Sequence, residues 1–384
     1  MESLKFVDNL ELNQKIVNIV GQLRKELVEI FRPKSIVISA SFATGEAVAF
    51  KQEDDIKFLS DCEVAILPNW HIFNRKRIVD YTVKFYQKTG LKVEISGVTL
   101  TLYLMLPFLH HKIKPTMDNY NIKHGAKVIY GRDYLNKMPD FKPKDIPLWE
   151  VVRLVFNRMA EALTHFAPDN PSSEMVFWTD KIILACQDSL LLSCGEYHHQ
   201  YGERNRLFNK LMSRNLTELR NIPDLTALAT EATERRLKGI MTVKEPVAYW
   251  FEVQDICDGV FRHIIARYNG ISFGSYLDFQ RQYLAGIQIN PMRQLCYALK
   301  KLLISRRLNA SVQILRNLKP HDHIIYSLIP LVYFGLSRDL SINESYVNRI
   351  VEVLPSTRKT VKPGNSILDT YKYLQCSIYR ELIG

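Results

Sequence analysis

The sequence predicts an α+β chain: a small mixed sheet backed by helices, followed by a large all-helical region. Three observations carry this. Leu12, Ile16, Ile19, Val20, Leu23, Leu27, Ile30 and Phe31 recur at helical spacing, and short apolar runs at 35–39, 63–67 and 91–97 have the length of strands. Pro139-Asp140-Phe141-Lys142-Pro143-Lys144-Asp145-Ile146-Pro147 packs three prolines and several charges into nine residues, which disfavours helix and strand alike. Beyond it, long periodic segments succeed one another to the end of the chain.

Taken in order, the first helix spans about 11–31 and ends at Pro33. Strand Ser35–Ser39 follows, then a turn through Ala40-Ser41-Phe42-Ala43-Thr44-Gly45-Glu46 and a loop holding Lys51-Gln52-Glu53-Asp54-Asp55. Strand Glu63–Leu67, a helix over about 71–88 stopped by Gly90, and strand Leu91–Gly97 come next. Thr99–Leu109 suits either a strand or a helix, and a short strand at Lys127–Tyr130 closes the edge of the sheet. The proline-rich segment then divides residues 1–140 from residues 148–384. In the second part, helical periodicity covers Trp149–Phe166 and Glu174–Cys194, then about 203–214, 226–238, 246–268, 275–284, 291–305, 309–317, 323–336, 343–354 and 366–382, with no regular internal repeat.

Composition narrows the functional classes. With 384 residues the chain is long enough for two substantial cores. Fifty-one Lys and Arg against 40 Asp and Glu leave a net charge of +11, a moderate excess that favours anionic ligands such as nucleoside triphosphates or nucleic acid without choosing between them. There is no dense arginine block, zinc-finger spacing or aromatic RNA-binding motif. The six cysteines form no C-x-x-C pair and read as buried free thiols of a reducing compartment. Met1-Glu2-Ser3-Leu4-Lys5 lacks the pattern of a signal peptide, and the longest apolar stretch, Ile324–Leu336, is too short to span a bilayer and contains Pro330. A soluble cytoplasmic protein without membrane contact is expected.

The chemistry concentrates in Ser60-Asp61-Cys62-Glu63-Val64-Ala65-Ile66-Leu67. Side chains of a strand alternate, so Asp61 and Glu63 share one face and Cys62 takes the other. Two such carboxylates repel each other unless a cation or a proton offsets the charge. Downstream, Val93 and Ile95 alternate with Lys92, Glu94 and Ser96, placing a third carboxylate on the polar face of another strand. Three acids on neighbouring strand faces are what one or two divalent ions require.

Together these segments resemble the DNA polymerase β-like nucleotidyltransferase superfamily, in its bacterial and archaeal branch of small-molecule or minimal enzymes. The resemblance covers roughly residues 10–140. Ser41 matches the serine of the family's Gly-Ser turn, Asp61 and Glu63 its acid pair, and Glu94 its third acid. Ala40 stands where the family has glycine, Thr44 where arginine is common, and Glu94 where aspartate is commoner. About fourteen residues separate the turn from the acid pair, more than the family minimum. The resemblance implies Mg²⁺, or Mn²⁺, at Asp61, Glu63 and Glu94, and an NTP, ATP foremost, as substrate. It further implies phosphate binding by Ser41, Thr44, Gly45 and the amides of that turn, and a helical domain that packs on the active-site cleft.

Candidate nucleotide contacts in the helical region are Lys181, which shares a helix face with Asp188, and Tyr201 and Arg204 in Tyr197-His198-His199-Gln200-Tyr201-Gly202-Glu203-Arg204. A capped helix junction accounts for the latter segment equally well. His321-Asp322-His323, after Pro320, suits a helix cap better than a metal site. Arg158 and His165 fit the loose Arg-x6-His pattern of HEPN ribonucleases, a spacing that also arises by chance on helices. The expected activity is transfer of a nucleoside monophosphate from an NTP to a hydroxyl of a small molecule or protein. The alternatives are a catalytically inactive relative that binds nucleotide or a partner, and an RNA-directed polymerase or HEPN-type RNase partner.

Overall fold

The computed structural model describes residues 4–52, 55–67, 75–96, 113–214, 224–287 and 321–353. The architecture is mixed α+β, a small sheet near the N-terminus within a predominantly helical chain. Two compact units share the chain. The first comprises Met1–Glu150, Leu190–Arg220 and Asp224–Thr242; the second comprises Val151–Ser189, Asn221–Pro223 and Val243–Gly384. Most of 190–242, helical by its periodicity, thus groups with the sheet.

In the first unit, helix α1 (Leu10–Phe31) starts at Asn9, whose side chain accepts the Leu12 amide at 2.9 Å. It ends at Arg32, left-handed at φ 44°, because Pro33 cannot continue it. Its inner stripe, Ile16, Val20, Leu23 and Leu27, is fully buried. Then come β1 (Ser35–Ser39), the one-turn α2 (Ala40–Thr44), β2 (Ala49–Gln52), β3 (Asp55–Phe58), β4 (Cys62–Leu67), α3 (Arg75–Thr89), β5 (Val93–Ser96), α4 (Met117–Gly125) and β6 (Lys127–Gly131).

Four strands form one sheet in the order β5-β4-β1-β6. β1 runs antiparallel to both β4 and β6, whereas β4 and β5, the strands on either side of α3, are parallel. Period-2 alternation splits the sheet into two faces. Ile36 and Ile38 of β1, Cys62, Val64 and Ile66 of β4, and Val93 of β5 join α1, Tyr81 and Phe85 in one core. The opposite face carries Ser39, Glu63 and Glu94, with Val37, Ala65 and Leu67 buried further along it.

Two expectations need correction, for the loop and for the thiols, and one element was not anticipated. Residues 49–52 and 55–58 are not a plain loop but paired strands, β2 against β3 from Ala49↔Phe58 to Gln52↔Asp55, so Asp55 begins a strand. Helix α4 occupies a stretch where the sequence shows no helical stripe. Among the thiols, Cys62, Cys186 and Cys257 are buried but Cys194 is exposed. Cys296, Cys376, residues 99–109 and the helical segments 291–305, 309–317 and 366–382 lie outside the described residues.

The remaining helices are α5 (Trp149–His165), α6 (Ser173–Ser193), α7 (Tyr201–Met212), α8 (Leu225–Lys238), α9 (Pro246–Asn269), α10 (Tyr276–Gly286), α11 (His321–Tyr333) and α12 (Glu344–Val353). α7 and α8 complete the first unit. The second unit is helical and packs on an aromatic cluster, with Phe156 stacked on Tyr326 at 5.2 Å and Phe261 edge-on to Phe279 at 5.2 Å. Pro330 sits inside α11, and among the described residues no helix is long and apolar enough to cross a membrane.

Candidate active site

Strand register builds the site. Glu63 on β4 is the partner of Ser39 on β1 and of Glu94 on β5, so the three form one row across the sheet. Ser39 Oγ donates to Glu63 Oε2 at 3.2 Å. Asp61 precedes β4 by one residue, and the Cys62 amide donates to the Lys92 carbonyl at 2.9 Å, which places Asp61 beside Lys92. Asp61 and Lys92 are thus one step along the same face from Glu63 and Glu94. Cys62 lies behind them, fully buried, its thiol pushed far up by burial and then by the two flanking carboxylates, so it stays protonated and inert.

Lys92 is the cation of this face. Its Nζ donates to Asp61 Oδ2 at 3.0 Å and to Glu94 Oε1 at 2.8 Å. Partial burial draws its pKa down, but the hydrogen bonds and charges of Glu94 and Asp61 outweigh this and raise it, so the ammonium is charged throughout the physiological range. The side chains remain accessible, 59% for Lys92, 37% for Asp61 and 50% for Glu94, which keeps each ion pair weak, about 0–1 kcal/mol. Among the described residues no group of three His, Cys, Asp or Glu side chains is drawn close enough to enclose a metal ion. The donor chemistry nonetheless fits one: hard carboxylate oxygens suit Mg²⁺, and the Lys92 pairs that stand between two of them are weak enough to exchange.

The turn beside this row is held by its side chains. Phe42 is fully buried, 5.8 Å from Phe6 and 6.4 Å from Phe58. Ala40 adopts φ 53°, the left-handed region that favours glycine, at the position where the resembled family has one. Gly45 closes the turn at φ 83°, and its N–H returns to the Ser41 carbonyl. The Glu46 amide donates to that carbonyl at 2.9 Å, and Thr44 Oγ1 donates to Glu46 Oε2 at 2.9 Å. The Thr44 hydroxyl and Gly45 amide, read from sequence as phosphate ligands, are therefore engaged inside the turn itself. Ser41 is 7% exposed.

Glu46 ties the turn to α7. Its carboxylate accepts the Tyr201 amide at 3.0 Å and the Gly202 amide at 3.1 Å, occupying the N-terminus of that helix as an anion would. The Arg204 and Arg236 guanidinium carbons lie over the Tyr201 ring at 3.8 and 4.1 Å, and both arginines are about 95% buried. Tyr201 and Arg204 are thus brought next to the turn, but as parts of a packed junction. His199 adjoins it, its pKa lowered to about 4 by burial first, then by the charges of His198, His124 and Arg204.

The other sequence candidates lie in the second unit. Lys181 Nζ rests over the Trp178 ring at 3.9 Å. Arg158 pairs with Glu161, while His165 stacks on Trp178 at 4.8 Å with Nδ1 3.6 Å from Glu174. His323 Nδ1 lies 2.9 Å from the Tyr283 hydroxyl.

Sequence reasoning overlooked Glu46 and Arg236, whose partners come from distant segments. It registered Lys92 only as a neighbour of Glu94. The i, i+2 spacing of those two was the signal that they share a face. Comparison of the chain with protein-family models, curated proteins and solved structures returned no match.

Proposed function

We propose that the chain is a Mg²⁺-dependent nucleotidyltransferase that moves a nucleoside monophosphate from an NTP to an acceptor hydroxyl. One observation carries this reading: Ser39, Glu63 and Glu94 form a single row across three strands, with Asp61 one step along the same exposed face. Asp61, Glu63 and Glu94 are the residues that would hold Mg²⁺, which when bound neutralises phosphate charge and makes a neighbouring hydroxyl more acidic.

The protein's own groups do the rest. Ser39 Oγ, 3.2 Å from Glu63 Oε2, fixes the orientation of the central carboxylate. Glu94, half exposed at the end of the row, would take the proton of the acceptor hydroxyl. The acceptor oxygen forms a bond to the α-phosphorus as the bond to pyrophosphate breaks, and the proton passes to Glu94. Free thiols at Cys62, Cys186, Cys194 and Cys257 accord with a reducing, cytoplasmic setting.

A second reading is a nucleotide- or partner-binding relative without catalysis. It is favoured by Lys92, which fills the space between Asp61 and Glu94, and by the engaged donors of Thr44 and Gly45. Incubation with each α-³²P-labelled NTP and Mg²⁺ separates the two. Label transfer with pyrophosphate release that vanishes in Asp61→Ala/Glu63→Ala supports the enzyme; nucleotide binding without turnover in the wild type supports the binding protein.

A further inference from the structure

Resting on the metal-site reading of the acid row, we propose that Lys92 is a resident cation that yields its place to a divalent ion and then binds the phosphates of the incoming nucleotide. Metal and triphosphate binding would be coupled through this one side chain.

The argument begins with position. Cys62↔Val93 register sets Lys92 alongside Asp61, and its Nζ touches carboxylates from two different strand segments, Asp61 Oδ2 at 3.0 Å and Glu94 Oε1 at 2.8 Å. An ammonium in such a bridge occupies the locus a divalent ion needs, and two cations a few ångströms apart repel. Lys92 and the metal therefore exclude each other between Asp61 and Glu94.

The exchange is feasible because the bridge is accessible. With the lysine side chain 59% exposed, leaving the acids incurs little desolvation or repacking. Once displaced, the ammonium swings on a flexible four-carbon stem anchored one residue before β5, beside the acids and exposed to solvent. A triphosphate brought there with its metal supplies new anionic partners, and an ammonium serves phosphate as a point charge. Free metal thus competes against Lys92, whereas metal arriving with nucleotide is helped by it.

The test uses the full-length protein and Mn²⁺ alone as probe, its free concentration read by electron paramagnetic resonance. Titrations are repeated with a non-hydrolysable α,β-methylene NTP. Lys92→Met is expected to bind free Mn²⁺ roughly tenfold more tightly than wild type, the combined effect of two lost ion pairs and one removed repulsion. The enhancement of Mn²⁺ affinity by the nucleotide analogue is expected to shrink by a similar factor. Lys92→Arg, which keeps the charge, should stay close to wild type, and Lys92→Gln serves as the second neutral variant if the methionine protein fails to fold.

Unchanged or weaker Mn²⁺ binding by the neutral variant, with a wild type that does bind, overturns the inference alone. Tighter Mn²⁺ binding with an unaltered effect of the analogue overturns its phosphate half. No Mn²⁺ binding by wild type or variants, even at millimolar concentrations, overturns the metal-site reading and the inference with it.

Discussion

The first unit contains two clusters of charge built from the same chemistry and committed to opposite ends. On the sheet, Asp61 and Glu94 pair with Lys92 at an accessible face, beside Glu63. At the junction of the turn with α7, Glu46 is 9% exposed, caps two backbone amides and stands beside the Arg204–Tyr201–Arg236 stack. Burial decides the difference. A carboxylate withdrawn from water must keep its partners, because losing them leaves an uncompensated charge, whereas an accessible one exchanges partners at little cost. The buried cluster is therefore architecture, and the exposed one can exchange its partners, as the proposed function requires.

Substitutions at Glu46 probe the contrast most strongly. Glu46→Ala strands the Tyr201 and Gly202 amides and removes the acceptor of Thr44, and should destabilise the protein by about 3 kcal/mol in urea unfolding. A loss below roughly 1 kcal/mol would erase the distinction between the two clusters.

The same junction should show a pH dependence. His199 has its pKa lowered from 6.5 to about 4, so the native ring stays neutral while the unfolded chain takes up a proton as pH falls through 6.5. Its contribution is fully present above pH 6.5 and is lost towards pH 4. Allowing for screening at a partly exposed ring, the loss is on the order of 2 kcal/mol. His199→Gln should flatten urea midpoints over this range; an equally steep decline in the variant would assign the acid sensitivity to other groups.

A smaller effect, of opposite sign, belongs to the turn. Ala40 holds φ 53°, so Ala40→Gly relieves left-handed strain and should raise stability by about 1 kcal/mol, less what glycine's unfolded-state entropy takes back. A thermal midpoint below that of wild type would show that the strain is not released.

How much of this was legible in the sequence follows from the range of each interaction. Alternation along 61–67 and 92–96 is local, and it sufficed to put three carboxylates on polar strand faces. Their arrangement in one row depends on register, Ser39↔Glu63↔Glu94, which no single strand encodes. Lys92 bridges two strand segments for the same reason. Helix α4 runs through Asp118-Asn119-Tyr120-Asn121, poor helix formers, and is held at its N-terminal end: Thr116 Oγ1 accepts the Asn119 amide at 3.2 Å and the remote Glu150 accepts that of Met117 at 3.1 Å. Glu46 reaches partners 155 residues away, beyond any periodic pattern. The pairing of β2 with β3 was obscured by their charges, although Ile56 and Phe58 already alternate inward against the core.

The measurement closest to the central claim pairs function with folding in one exposed-row variant. Glu63→Gln preserves the size of the side chain and an oxygen to accept from Ser39 while removing the charge. Its urea midpoint and its Mg²⁺-dependent pyrophosphate release from the four NTPs would be determined beside those of the wild type. The account predicts an unchanged midpoint and release that disappears. Release that persists in the variant, or that fails only because the variant unfolds, would contradict the assignment of the acid row as a site for chemistry rather than structure.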